Sequence, residues 1–395
     1  MISVAEAMTR IAALISPIGT EQVALDDAAG RVLALPAIAT RDQPPFAASA
    51  MDGYAVRAQD LADGKKLAVV GEIPAGSMPD RGIEAGEAMR IFTGAPLPPG
   101  ADHVLIQEDA TVDGHRITAS SDRDVAAYVR PSGTDFSAGF TMAAPRRLSA
   151  SDIALLAAMN QPSVTVARRP VVALIPTGNE LVWPGETPRD DQIIASNNFG
   201  LSAMFRAAGA DVRLMPIAED TPAALAHVLE LAKNADLIVT LGGASVGDHD
   251  LVGQVAEGRG LDLSFYKLAM RPGKPLMAGR LGDSVMIGLP GNPVSSMVCG
   301  AIFVRPAILA LQGLPYEHPQ IMQGRLTGDI GKNGPRAHYM RSAVSFETGI
   351  ANVTPAARQD SALLSVLSTA NALMIRPPDD PNRSRGDAVS YCLFD

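Results

Sequence analysis

Three short apolar runs in the middle of the chain each end in a glycine-rich loop, and this repetition limits the fold more than any other feature. The runs are residues 171–175, 237–241 and 285–289. The loops are Thr177-Gly178-Asn179-Glu180, Gly242-Gly243-Ala244-Ser245-Val246-Gly247-Asp248 and Pro290-Gly291-Asn292-Pro293. An apolar run of this length, followed by a loop and a helical pattern, is the unit of a parallel α/β sheet. Ligands of such sheets bind along the rim formed by the carboxyl ends of the strands. Glycine lets backbone N–H groups approach an anion unobstructed, and Glu180, Asp248 and Asp250 suit a hard divalent cation. The pattern predicts one site for a phosphorylated ligand plus a divalent metal.

The rest of the chain is organised around this unit. At 395 residues, two to four domains are expected. Ser3 and Glu6 read as a capping box, with Val4, Met8, Ile11 and Ile15 as one helical stripe. Short β-like runs broken by Pro and Gly fill residues 41–147, including 67–73, 88–92, 103–107 and 126–129. From Pro170 onward strands alternate with helices, and after Gly313-Leu314-Pro315 short strands return. The expectation is an α/β multidomain protein with a central doubly wound, mostly parallel sheet. Its pieces are a helical linking unit (1–41 and 146–168), an inserted β-rich module (42–145), the α/β domain (169–315) and a small C-terminal β barrel or sandwich (316–395).

Composition removes several classes. A net charge of −9 argues against a broad nucleic-acid surface. No apolar run was expected to reach membrane-spanning length, and the first residues read as a helix rather than a signal peptide, so a cytoplasmic location is expected. Cys299 and Cys392 form no disulfide framework, the six histidines show no ligand spacing, and no Walker-type lysine loop is present.

Other candidates each carry an ordinary alternative. Asp52, in the irregular segment 44–55, is a metal or ligand carboxylate, or part of a plain Asp-Gly turn. Thr93-Gly94 ends a strand with a hydroxyl and a glycine turn, and Arg130 with Asp135 reads as an anion grip; either is otherwise a solvated turn. Lys267, Arg271 and Lys274, three cations in eight residues between the second and third loops, are a solvated face or an oxyanion grip overhanging the rim. Asp220 caps a helix, faces the rim, or does both. Trp183 and Phe199 are stacking residues or core.

Taken in order, Ser49-Ala50-Met51-Asp52-Gly53-Tyr54-Ala55, Ile91-Phe92-Thr93-Gly94-Ala95-Pro96, Arg130 with Gly133 and Asp135, Pro176 to Leu181, Ser196-Asn197, 242–250, Arg271-Pro272-Gly273-Lys274-Pro275 and Leu289 to Pro293 resemble one family. It is the molybdopterin molybdenumtransferases, the MoeA and gephyrin E-domain group. The resemblance implies Mg²⁺-dependent insertion of molybdate into adenylylated molybdopterin with release of AMP. It also implies a homodimer whose site is shared between subunits, with a pterin adenylyltransferase and recipient molybdoenzymes as partners. It assigns catalysis to Asp52, Thr93, Glu180, Asp220, Asp250, Lys267, Arg271 and Lys274, and metal binding to Asp52, Glu180 and Asp250. Ligand binding falls to Gly178, Ser196, Asn197, Gly242, Gly243, Ser245, Gly247, Asp248, Pro290, Gly291, Asn292, Pro293, Arg130, Asp135, Ser361 and Ser365. Two departures stand out: Asn179 where many relatives carry Asp, and Arg271 where Lys is commoner. Two other readings compete: a pterin adenylyltransferase or CinA-like enzyme built on the central domain alone, and a non-catalytic scaffold.

Overall fold

The computed structural model describes residues 1–62, 64–243, 251–347 and 349–394. Ser245, Gly247, Asp248 and Asp250 lie outside the described residues.

Strands Asp211–Leu214, Val171–Pro176, Leu237–Leu241 and Ser284–Leu289 pair in parallel in that spatial order, and Pro275–Leu281 and Leu261–Lys267 extend the sheet antiparallel. Side chains alternate between the two faces, as strand geometry requires. Val172, Leu174 and Val239 enter one core with Leu201, Phe205 and Val298. Ala173, Ile175 and Ile238 enter the other with Leu225, Val228 and Val252. Fully burying each leucine or isoleucine contributes about 1.5–3 kcal/mol, so both faces hold helices and the sheet is doubly wound. The register pairs Pro176 with Leu241 and Leu241 with Leu289. Three strands therefore end level, and their glycine loops leave from one row.

The last helical run, Pro293–Leu311, corrects the expectation about apolar length: at 19 residues it is long and apolar enough to span a membrane, yet 83% of its apolar 18-residue window is buried in the fold. It is a core helix. A π turn, Gly300–Val304, interrupts it, and a Cβ on Gly300 would lie 2.4 Å from Leu201 Cδ2. Glycine there lets two helices close on each other.

The linking unit is not helical, as expected, but mainly a sheet. Strands Thr20–Ala24, Ser163–Ala167, Val32–Leu33 and Arg146–Arg147 form it, with helix Ala150–Ala158 packed on one side. The first helix, Val4–Ala12, instead buries Ala7 and Ile11 in the core of the central domain. Strands of two to five residues leave too short a pattern to read as β.

In the inserted module, Gly53–Val56 lies between His103–Ile106 and Glu87–Ile91 in a six-stranded sheet. Of the expected run 126–129, the structure keeps only Val129–Arg130 as strand. The C-terminal strands Met322–Leu326, Ala337–Glu347, Ile350–Pro355, Ala372–Arg376 and Ala388–Leu393 close on themselves, giving a barrel rather than a sandwich. Met270–Arg271 pairs with Ala337 and His338, which joins the cationic loop to the barrel.

Candidate functional site

The three loops touch backbone to backbone. Buried Thr177 donates its N–H and its hydroxyl to the Leu241 carbonyl at 2.9 and 3.0 Å. Gly242 donates its N–H to Leu289 O at 3.1 Å. A Cβ on Gly242, whose φ is +88°, would lie 2.9 Å from Thr177 O, and one on Gly291 would lie 3.4 Å from the Gly242 Cα. Glycine is required at Gly242 by both conformation and space. At Gly178, a Cβ would fall 2.3 Å from the Glu180 carboxylate, which folds back over the loop.

An open pocket lies above this junction. Its walls include Thr177, Gly178, Glu180, Asp220, Gly242, Gly243, Pro275, Pro290, Gly291, Asn292 and Pro293. A narrower slot continues from it past Leu181, Ile194, Ser196, Asn197 and Asn198. The Asn179 side chain accepts the Asp220 N–H at 3.0 Å, and Thr221 caps the following helix by accepting the Ala224 N–H at 3.2 Å. Asp220 is thus left exposed beside Glu180 at a helix start. Asn197 Nδ2 donates to Gly291 O at 2.7 Å, tying the start of helix Asn197–Ala207 to the third loop.

Cations stand on one side of this pocket. Pro275 forms part of the wall, and exposed Lys267, Arg271 and Lys274 occupy the segment before it. Among the described residues neither Arg271 nor Lys274 makes an ion pair or side-chain hydrogen bond. Gly273 between them lies over buried Cys299, where a Cβ would meet the sulfur at 2.5 Å. Behind Arg271, the imidazole of His338 is pushed down to about 4 by burial and by the nearby Arg271, Arg376, Arg336 and Arg341. It therefore stays neutral and adds no charge to the cationic wall.

The remaining candidates gather in the inserted module. Asp52 precedes one strand and Thr93 follows its antiparallel neighbour, and the Gly53–Ile91 pairing brings them together. Asp52 Oδ1 accepts both the N–H and the hydroxyl of Thr93 at 2.8 Å. These bonds, aided by Arg90, hold the Asp52 carboxyl below its usual range. Exposed Arg130 ends the strand Val129–Arg130, and exposed Asp135 lies in the following loop, which Asp42 organises by accepting the Ala138 N–H at 2.8 Å and the Ser132 hydroxyl at 3.2 Å. None of Asp52, Thr93, Arg130 and Asp135 lines the rim pocket. Ser361 does reach the rim element, its carbonyl accepting the Val294 N–H at 3.0 Å. Ser365 is exposed on the short helix Leu364–Leu367.

Reading the sequence missed Arg341. Only 2% exposed, it donates to the carbonyls of Leu363 and Arg358 at 3.1 and 3.2 Å, and its N–H donates to Gln359 at 3.1 Å. It shapes the loop that carries Ser361. A charged residue between Tyr339 and Ala343 on one face of the strand Ala337–Glu347 was the available signal.

Among the described residues, no group of three or more His, Cys, Asp or Glu gathers as a ready metal cage. The donors on the pocket wall are the hard oxygens of Glu180 and Asp220. That set fits Mg²⁺, which binds through one or two carboxylates, ligand phosphates and retained waters.

Three family models cover nearly all of the chain: the MoeA N-terminal region (domains I and II) matches residues 2–160, a probable molybdopterin-binding domain 173–310, and the MoeA C-terminal region (domain IV) 323–394. The molybdopterin molybdenumtransferase of Nostoc sp. is 36% identical over 94% of this chain and 88% of its own length. That of Bacillus subtilis is 32% identical over 100% and 94%. The solved molybdopterin biosynthesis MoeA protein of Pyrococcus horikoshii superposes with a TM-score of 0.84 at 28% identity, covering 100% of both chains. Matches on both sides of the central domain remove the reading of a stand-alone α/β enzyme. The chain belongs to the molybdopterin molybdenumtransferase family, transferases of molybdenum cofactor biosynthesis.

Proposed function

We propose that this protein inserts molybdate into adenylylated molybdopterin in a Mg²⁺-dependent reaction, releasing AMP and leaving molybdenum-loaded molybdopterin. One observation carries the reading: three glycine loops in backbone contact, with two carboxylates on the pocket wall and uncommitted cations beside it. Molybdate is a tetrahedral dianion and the substrate carries a pyrophosphate link, so backbone N–H groups and forked or point cations suit both. Lys267, Arg271 and Lys274 attract and orient the oxyanion, and Ser361, Ser365, Arg130 and Asp135 add contacts to it or to the ligand. The glycines and prolines of the second and third loops, with Ser196 and Asn197, form the bed under the pterin and phosphates. Glu180 and Asp220 would hold Mg²⁺, with Asp250 and Asp52 completing its surroundings. When bound, Mg²⁺ neutralises phosphate charge and polarises the bond to be cleaved.

Asp52 and Thr93 do not line the rim pocket of their own chain, so in this reading a second copy supplies them. The enzyme is then a cytoplasmic homodimer with two shared sites. It receives its substrate from a pterin adenylyltransferase and passes its product to recipient molybdoenzymes. Mixing the inactive variants Asp52→Ala and Glu180→Ala tests this. After subunit exchange the mixture recovers roughly a quarter of wild-type activity, because half the dimers are mixed and each holds one intact site. No recovery from dimers shown to have exchanged contradicts the shared site.

A further inference from the structure

We infer that Arg90 is a positioning residue for Asp52, clamping together the two turns that carry the Asp52–Thr93 pair. The inference rests on the proposed reading of Asp52 as a site carboxylate. Arg90 lies on the strand Glu87–Ile91, two residues before Phe92 and three before Thr93 in the direction of the chain's own turn. Its guanidinium carbon is 5.0 Å from the Tyr54 ring centroid and 5.1 Å from that of Phe92, within the range where a ring face attracts a cation. One side chain thereby holds an aromatic next to each of the two turns.

The hydrogen bonds close the clamp. Arg90 Nη1 donates to Gly53 O at 3.2 Å, and Nη2 donates to Gln107 Oε1 at 2.7 Å. Gln107 in turn donates its backbone N–H to Asp52 O at 3.1 Å. The main chain on both sides of the Asp52 carboxylate is therefore fixed through Arg90. Gly53 runs close against the neighbouring strand, where a Cβ would lie 2.1 Å from Leu105 O. Lysine cannot replace this arrangement, because a point ammonium lacks the planar fork that reaches two acceptors while facing two rings.

The test compares wild type, Arg90→Lys, Arg90→Met and Asp52→Asn. Three quantities are measured: kcat and KM for AMP release, hydrogen exchange at the Thr93 and Gln107 amides, and the thermal midpoint. Expected for Arg90→Met are a kcat lower by about ten- to a hundred-fold, a nearly unchanged KM, and faster exchange at both amides. Arg90→Lys keeps the charge without the fork, so kcat and exchange both stay short of wild type. A lowered thermal midpoint with kcat and the exchange unchanged would overturn the inference and leave Arg90 a packing residue. If Arg90→Met fails to fold, Arg90→Lys against wild type carries the same kcat comparison. If Asp52→Asn itself releases AMP at the wild-type rate, the reading of Asp52 fails, while the amide exchange still decides the clamp.

Discussion

Asp52 and Thr93 sit on turns from neighbouring antiparallel strands, and two 2.8 Å hydrogen bonds to one carboxylate oxygen join them. Both bonds favour the ionised form, so the carboxyl titrates below its ordinary value. Thr93→Ala removes the hydroxyl but keeps the backbone bond. The Asp52 carboxyl then rises, and activity that needs the carboxylate is lost at a higher pH as the solution is acidified. A pH–rate profile checks this: its acid limb moves up in Thr93→Ala and stays in place in Thr93→Ser.

The glycines of the second and third loops are predicted to differ in sensitivity. Gly242→Ala places a side chain at positive φ and against Thr177 O, a strain of about 1–3 kcal/mol. It should lower the thermal midpoint and abolish ligand binding together. Gly291→Ala meets only the Gly242 Cα at 3.4 Å, so it should fold normally. Melting curves and AMP binding measured on both variants separate the two cases.

Replacing Arg341 with methionine leaves the Arg358 and Leu363 carbonyls without the donors they have now. Each lost hydrogen bond to these part-buried carbonyls costs about 0.5–1.5 kcal/mol, so the loop that carries Ser361 should loosen. Hydrogen exchange should quicken across residues 356–364, with the barrel strands less affected.

His338 gives a pH signature of stability. Its folded value lies near 4, below the usual 6.5, because burial and four arginines oppose its charging. The unfolded state takes the proton first on acidification. The contribution from neutral His338 is therefore complete above pH 6.5 and is lost as pH falls towards 4. Thermal midpoints measured across that window should fall less steeply in His338→Gln.

What could be read directly in the sequence was local. The strands Val171–Pro176 and Leu237–Leu241, with the glycines at their ends, announce themselves because apolar run, turn and helix start are adjacent in the chain. The linking sheet was not legible, since Val32–Leu33 and Arg146–Arg147 find each other across more than a hundred residues. Nor was the absence of Asp52 from the pocket wall that holds Glu180, because spacing along a chain does not say which carboxylates share a pocket. Arg90 and Arg341 went unread for the same reason: one is defined by two rings and the other by carbonyls from a distant loop.

The central claim is tested most directly by measuring AMP released from adenylylated molybdopterin, with and without molybdate, in Mg²⁺, for wild type and Asp52→Ala side by side. The account predicts release by wild type that requires molybdate and is lost in the variant, with turnover reduced by about a hundred-fold or more. A folded, dimeric wild type that releases no AMP with molybdate present would contradict it and favour a scaffold role.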